Sequence, residues 1–274
     1  MPELQHPRLQ LLKLGGSIIT DKSRARSPRP TVIQRLAEEI KAARQADPSL
    51  ELIIGNGAGS FGHVPAKKYG TRQGVHSHAD WLGFLEVWGE AKDLNEIVMD
   101  HLKAAGLPVI VFPPVACVTA EDGVPVDWNL TPITQALSAG LVPVVHGDVA
   151  IDLHRGGTIL STEDLFYYLA KQLHPRRVLL AGLEPGVWAN FPQRQEIIPE
   201  INPDNFITVL PALGGSSGTD VTGGMASKVQ QSLELAHQIP GLEILIFSGE
   251  QPGNVRRALS GERLGTVILG ENKE

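Results

Sequence analysis

The sequence predicts an α/β protein, a three-layer αβα sandwich around a central, mainly parallel sheet. Short apolar runs alternate with longer amphipathic stretches along the whole chain. The predicted strands are near-continuously aliphatic rather than alternating, which is the pattern of strands covered by helices on both faces. Residues 80–105 carry the strongest helical period, with Leu82, Leu85, Trp88, Ala91, Leu94, Val98, Leu102 and Ala105 at three- and four-residue intervals.

The elements follow in order. Residues 9–14 read as a strand. Residues 31–46 read as a helix, with Ile33, Leu36, Ala37 and Ile40 on one face, Thr31 as its N-cap and Pro48 ending the segment. A second strand, 50–54, runs into a glycine-rich stretch that opens into a helix near Ala66. The long helix to residue 105 ends on Gly106 at a C′ position. Further strands are expected at 109–112, 141–145, 178–181 and 243–247. Two loops stand out, 21–30 and 213–219 (LGGSSGT). The 274 residues are read as one domain, 1–274, with two lobes meeting near residue 175.

Composition narrows the function classes. A net charge of −6 leaves no basic surplus for a phosphate backbone, so no nucleic-acid partner is expected. The single cysteine, Cys117, excludes an internal disulfide framework and fits a reducing cytoplasm. No stretch reaches the roughly 18 apolar residues of a membrane span, and the first residues lack a secretory pattern. A cytoplasmic protein without a membrane partner is expected.

Residues 55–63, GNGAGSFGH, place Gly57, Gly59 and Gly62 in the dinucleotide spacing G-x-G-x-x-G. The context for that reading fails. The glycines follow the second strand, and the acids downstream, Asp80 and Glu86, lie within a helix rather than at a strand end. A P-loop fails too, because Asp21 rather than glycine precedes Lys22. One glycine would suit a tight turn; Gly55, Gly57, Gly59 and Gly62 together point to backbone amides near an anion at a helix N-terminus.

Three more junctions have this character. In Lys13-Leu14-Gly15-Gly16-Ser17 a strand ends in two glycines, and Lys13 either has a buried partner or reaches solvent from an edge strand. Val144-Val145-His146-Gly147-Asp148 again runs a strand into glycine and an acid, which could equally be a turn residue. In DVTGGMASK, residues 220–228, a glycine pair precedes a helix with Lys228 in its first turn, where a cation suits the dipole only if an anion is present. Ligands of open α/β sheets sit outside the strands' carboxyl ends. Converging there, these junctions suit phosphoryl transfer, whose catalysis is mostly positioning and charge neutralisation.

KLGGSIITDK (13–22), GAGSFGH (57–63), HGDV (146–149) and DVTGGMASK (220–228) closely resemble the isopentenyl phosphate kinases of the amino acid kinase superfamily. The resemblance implies the amino acid kinase fold, with an N-terminal substrate lobe (about 1–175) and a C-terminal nucleotide lobe (about 176–274). It implies a phosphotransferase with a phosphate acceptor, using ATP and Mg²⁺ on a prenyl monophosphate in isoprenoid biosynthesis, and a homodimer. It further implies that Lys13, Leu14, Gly15, Gly16, Ser17, Gly59, Gly224 and Lys228 hold ATP. Lys22, with Lys13 and His63, would be catalytic, Lys22 stabilising the transferring phosphoryl group. Ala58, His63 and Gly147 would bind the acceptor, and Asp148, Glu163 and Asp164 would orient the lysines or the metal, whose ligands stay unassigned.

An acceptor that is already an ionised phosphate needs no strong general base; it needs two anions neutralised for in-line attack. Lysines, amides and a metal do this, and His63 adds a donor when protonated. Outside its motif His63 would read as a capping or surface histidine. Fosfomycin kinases, which share the fold, are the nearest alternative, and a non-catalytic nucleotide-binding module the next. The chain departs from its relatives at 183–188 (LEPGVW), where an Asp-x-Asp-Gly-Val-Tyr-like segment is common, and at Asn56-Gly57, where His-Gly is common. The basic loop 22–29 is read either as a lid over the phosphates or as a solvated turn.

Overall fold

The computed structural model describes residues 8–213 and 224–270. The chain opens with β1 (Leu9–Leu14), the one-turn α1 (Gly16–Ile19) and α2 (Pro30–Ala46). Then come β2 (Glu51–Asn56), α3 (Gly59–Tyr69), α4 (His78–Ala104), β3 (Val109–Val111), α5 (Pro114–Cys117), β4 (Val118–Glu121) and β5 (Val124–Trp128). The middle of the chain forms α6 (Thr131–Ser138), β6 (Val142–His146), β7 (Asp148–Asp152), β8 (Gly156–Leu160) and α7 (Thr162–Leu173). The last part forms β9 (Arg177–Gly182), β10 (Val187–Trp188), β11 (Ile197–Ile198), β12 (Glu200–Ile201) and α8 (Pro203–Val209). It closes with α9 (Gly224–Gln238), β13 (Glu243–Ser248), α10 (Asn254–Leu259) and β14 (Thr266–Leu269).

Eight strands form one sheet in the order β12-β14-β13-β9-β1-β2-β6-β3. Only the β13–β14 pairing is antiparallel. β1 is central, with Lys13 opposite Gly55 of β2 on one side and Leu180 of β9 on the other. The carboxyl ends of β13, β9, β1, β2, β6 and β3 therefore share one edge of the sheet.

Alternation along β1 assigns its faces. Leu12 and Leu14 join the core beneath α2, α4 and α10, against Ile33, Leu36, Leu94 and Val98. Leu9 and Leu11 join the opposite core under α6, α7 and α9, with Ile133, Phe166 and Val229. Lys13 shares the parity of the second set, so its side chain leaves β1 on the α7 face. This is the expected three-layer sandwich, and the near-continuous apolar strands follow from burial on both sides.

Several local features differ from expectation. α2 starts at Pro30, so Thr31 lies inside the helix; Pro at N1 lacks only an N–H that would be orphaned anyway, and its φ is already helical. The helix after the glycines begins at Gly59 rather than near Ala66, with Pro65 inside it. α4 opens at Ser77 through a capping box with Asp80, and Gly106 follows it at φ +87°.

A four-stranded sheet, β5-β4-β7-β8, was not expected. Its hairpin turns at Asp122-Gly123, both at positive φ, the dipeptide a primed turn requires. α4 has 27 residues, about 40 Å of helix. Its C-terminal half packs on the main sheet. Its N-terminal half reaches the small one, where Phe84 and Val87 meet Val75 and Val149, with Trp81 and Trp88 at the margin.

Glu39 locks α2 to α10. Its carboxylate accepts from the N–H groups of Gly253 (2.9 Å) and Val255 (2.9 Å), at the N-terminus of α10, while Arg35 Nη1 donates to it at 2.6 Å. A charged cap on orphan amides, with its own counter-ion, stabilises this junction. Glu39→Ala should lower the unfolding free energy by about 2 kcal/mol, read as a shift of the urea midpoint at unchanged slope.

Candidate active site

Two glycine turns interlock where β1 and β2 end. The N–H of Gly57 donates to Leu14 O at 3.1 Å, and that of Gly15 to Ala181 O at 2.9 Å. A Cβ on Gly16 would stand 2.5 Å from Gly59 N and 2.6 Å from its Cα; one on Gly57 would stand 3.0 Å from Gly16 N. Gly59 itself has φ +52°. The glycines thus let two backbones touch, and their spacing is imposed by each other. Thr20 completes the joint: its hydroxyl donates to Gly16 O (2.6 Å) and accepts from Ser60 N (2.9 Å).

Asn56, the residue before this turn, is fully buried and ties β2 to three other elements. Its Oδ1 accepts from Asn95 Nδ2 of α4 at 2.8 Å. Its carbonyl accepts from the Thr162 hydroxyl of α7 (2.7 Å) and from Gly147 N (3.0 Å). The main chain at 56 thus places Gly147 beside the glycine turns, and the Asn56 side chain ties this point to α4.

Lys13 meets Glu163 of α7, and Lys228 Nζ of α9 lies 3.7 Å from the same carboxylate oxygen. The Lys13 and Glu163 side chains are each only 12% exposed, so the arrangement is expensive unless charges match. Burial pushes the Lys13 ammonium below its usual range and Glu163 opposes this, while Lys228 adds to the lowering. Burial would raise the Glu163 carboxyl, but the two lysines hold it well below the ordinary carboxylate range. Two cations share one anion. The group carries a surplus positive charge at the mouth of the glycine joint, which is the local charge an anionic ligand would satisfy.

The other carboxylates differ. Asp164 caps α7 by accepting from Ser161 N (2.7 Å) and pairs with Arg72 at 3.3 Å. Asp148 accepts from Val149 N (2.8 Å) and Val115 N (3.4 Å), and lies 3.5 Å from His146 Nε2. Burial pushes Asp148 up to about 7 and His146 down to about 4, and neither ring nitrogen of His146 has a hydrogen-bond partner among the described residues. Both residues belong to the HGDV motif, but nothing in the sequence signalled that the two side chains face each other in a buried place.

The remaining expected residues take these places. Leu14 ends β1; Gly16 and Ser17 begin α1; Ala58 precedes α3 in helical conformation. His63 is half-buried in the second turn of α3, and Gly147 is buried between β6 and β7. Lys22 is exposed in the turn that follows Thr20. Gly224 opens α9, with Lys228 four residues on; Asp220, Val221, Thr222 and Gly223, and loop residues 214–219, lie outside the described residues. In 183–188, Trp188 Nε1 donates to Glu184 at 2.8 Å, and Arg194 lies 3.4 Å from the same carboxylate.

The loop of residues 21–29 is a pinned turn. Thr20 bridges Pro28, and Asp21 N donates to Ser27 O at 2.8 Å. Arg26 N and Ser27 N donate to Ser60 of α3 at 3.2 and 3.1 Å.

The Amino acid kinase family pattern matches residues 8–248. The chain belongs to that family. It is 35% identical to the isopentenyl phosphate kinase of Methanothermobacter thermautotrophicus, over 96% of this chain and 99% of the relative. It is 36% identical to the isopentenyl phosphate kinase of Haloferax volcanii, over 96% and 99% respectively. Among solved structures, an isopentenyl phosphate kinase superposes with a TM-score of 0.79 at 31% identity, covering 95% of this chain and 99% of the other. The fold is thus shared with these relatives, and in this chain the interlocked backbone contacts explain why glycine stands at the strand ends.

Two outcomes follow. Gly16→Ala should lower the unfolding free energy by about 2 kcal/mol or more, since the methyl would meet backbone that cannot yield, and a thermal melt reads this directly. The buried pair sets a pH signature. Asp148, raised in the folded state, loses stability as pH rises from about 4 to about 7; His146, lowered, gains stability as pH rises from about 4 through 6.5, so the two oppose each other. Asp148→Asn leaves His146 unopposed. Its stability relative to the parent should climb by roughly 2–4 kcal/mol between pH 4 and 8, measured by urea midpoints across pH.

Proposed function

We propose that this chain transfers the γ-phosphoryl group of ATP to isopentenyl phosphate, giving isopentenyl diphosphate and ADP. The reading rests on one observation above others: Lys13 and Lys228 converge on Glu163 beside the interlocked glycine turns, in a chain whose relatives are isopentenyl phosphate kinases. The nucleotide side is assigned to Lys13, Leu14, Gly15, Gly16, Ser17, Gly59, Gly224 and Lys228. The acceptor side is assigned to Ala58, His63 and Gly147. Residues to about 175 would form the acceptor lobe and the rest the nucleotide lobe, in a homodimer working in the cytoplasm; among the described residues no helix is long and apolar enough to cross a membrane.

The chemistry needs little from side chains beyond charge and place. An oxygen of the acceptor phosphate attacks the γ-phosphorus in line. The bond from that phosphorus to the β–γ bridging oxygen breaks, and ADP departs with the electron pair. The acceptor's second ionisation lies near pH 6, so at neutral pH its oxygen is already nucleophilic without a general base. Lysine ammonium groups and backbone N–H groups neutralise the two anions, and Lys22 is assigned to the charge that develops on the transferring group. His63 donates to the acceptor phosphate. Before phosphates arrive, Glu163 keeps Lys13 and Lys228 together by offsetting their mutual repulsion; the phosphates would then take its place.

The acceptor's five-carbon tail would lie against the N-terminal half of α4, whose Phe84 and Val87 are themselves buried against Val75 and Val149. Mg²⁺ would add charge neutralisation on the nucleotide phosphates. Among the described residues no group of three or more His, Cys, Asp or Glu could hold a metal ion. Mg²⁺ brought in on ATP would be ligated mainly by phosphates and water.

Coupled ADP release with isopentenyl phosphate, dimethylallyl phosphate and fosfomycin tests the substrate class. Turnover of the prenyl phosphates is expected; rapid turnover of fosfomycin alone would overturn the proposal. Lys22→Ala should lower kcat by about 100-fold with a far smaller change in KM, the signature of a contact made in the transition state. His63→Ala should instead raise the acceptor KM by about tenfold.

A further inference from the structure

The turn that carries Lys22 is held by two arginine forks that reach opposite halves of the molecule. Arg26 extends one fork to α4: its Nη1 meets Glu90, and its Nη2 donates to Asp93 Oδ2 at 2.7 Å. Its guanidinium also lies 5.1 Å from the centre of the Phe61 ring in α3. Arg29 extends the other fork to the segment after β13. Nη1 and Nη2 donate to the two oxygens of Glu250 at 2.8 and 2.6 Å, while Nη1 also reaches Ile18 O at 3.1 Å.

Single exposed ion pairs contribute little. These are not single pairs. Each is a planar fork engaging two acceptors, and each is backed by backbone hydrogen bonds from the same turn, to Ser60 and to Ile19 O. Glu90 is also only 19% exposed, and its buried Oε2 has no hydrogen-bond partner among the described residues. A half-satisfied carboxylate costs stability, so stability alone gives poor reason for this anchor.

We infer that Arg26 and Arg29 are positioning residues for phosphoryl transfer, fixing the turn that presents Lys22 between the helix walling the acceptor tail and the strand end on the nucleotide side. The inference rests on the assignment of Lys22 made above. Arg26 anchors on α4 just beyond Trp88, so a tail seated against that helix and the Lys22 turn share one support. Arg29 anchors beyond β13, which pairs with β9, and also holds the carbonyls of Ile18 and Ile19 in α1. The strap has one function the parts lack separately: it sets the distance of a transition-state lysine from both substrates at once.

Steady-state kinetics of the full chain test it, with ATP and isopentenyl phosphate varied in turn. Arg26→Gln and Arg29→Gln should each lower kcat by about tenfold while KM for either substrate moves less than about twofold. Arg29→Lys, which keeps charge but loses the fork, should fall between Arg29→Gln and the parent. The exchanged pair Arg29→Glu with Glu250→Arg should recover most of the loss. Thermal melts confirm that each variant is folded. The deciding arm combines Arg29→Gln with Lys22→Ala. If Arg29 acts through Lys22, the double variant is no slower than Lys22→Ala alone. Losses that multiply would overturn the inference and leave Lys22 in place. Unchanged kcat in both arginine variants, with Lys22→Ala crippled, would do the same. Unchanged kcat in Lys22→Ala would overturn the reading of Lys22 and this inference with it.

Discussion

The contact on which the rest depends is backbone against backbone, where the turn after β1 presses on the turn after β2. With Gly16 and Gly57 in reach of each other's main chain, no side chain fits between them. This closeness brings two sets of N–H groups to one place at the carboxyl edge of the central strands. It also fixes the start of α1 and α3 relative to each other through Thr20. A site for two phosphates needs two amide-rich surfaces a short distance apart. Here that distance is set by van der Waals contact between main chains, which is stiffer than any side-chain arrangement.

Charge is arranged on the same edge by the strand's two-residue period. Lys13 leaves β1 on the face of α7, and Glu163 is the acid that α7 presents there. Lys228 approaches from α9 on the same face. The lysines are held apart from their mutual repulsion by an anion smaller in charge than their sum. The surplus is what a triphosphate would meet under the proposed function. The costs of burying this trio are carried by the large apolar cores on both faces of the sheet.

Much of this was legible before the structure. Layer order followed from aliphatic strands without alternation, and the reach of α4 from its unbroken period. The glycine pairs marked the strand ends, and Lys13 in a buried strand asked for the partner it has. What was hidden is instructive. Glycine spacing could not say that the glycines face each other, because contact between turns far apart in sequence leaves no local pattern. The Asn56 side chain had no local reading; its partner is Asn95, distant along the chain. The small sheet was readable at Asp122-Gly123, a turn signal passed over. The arginine forks of the 21–29 turn could have been suspected only from charge, since their partners at 90, 93 and 250 are remote.

The central claim is that two phosphates meet at the interlocked turns. It is tested most directly by a crystal structure of the chain with a non-hydrolysable ATP analogue and isopentenyl phosphate bound. The account predicts the γ-phosphate within hydrogen-bond distance of the amides of Gly16 and Gly59, with Lys13 and Lys228 turned from Glu163 toward it and the acceptor phosphate near His63. Phosphates bound at any other edge of the sheet, or lysines still closed on Glu163 with both ligands present, would contradict it.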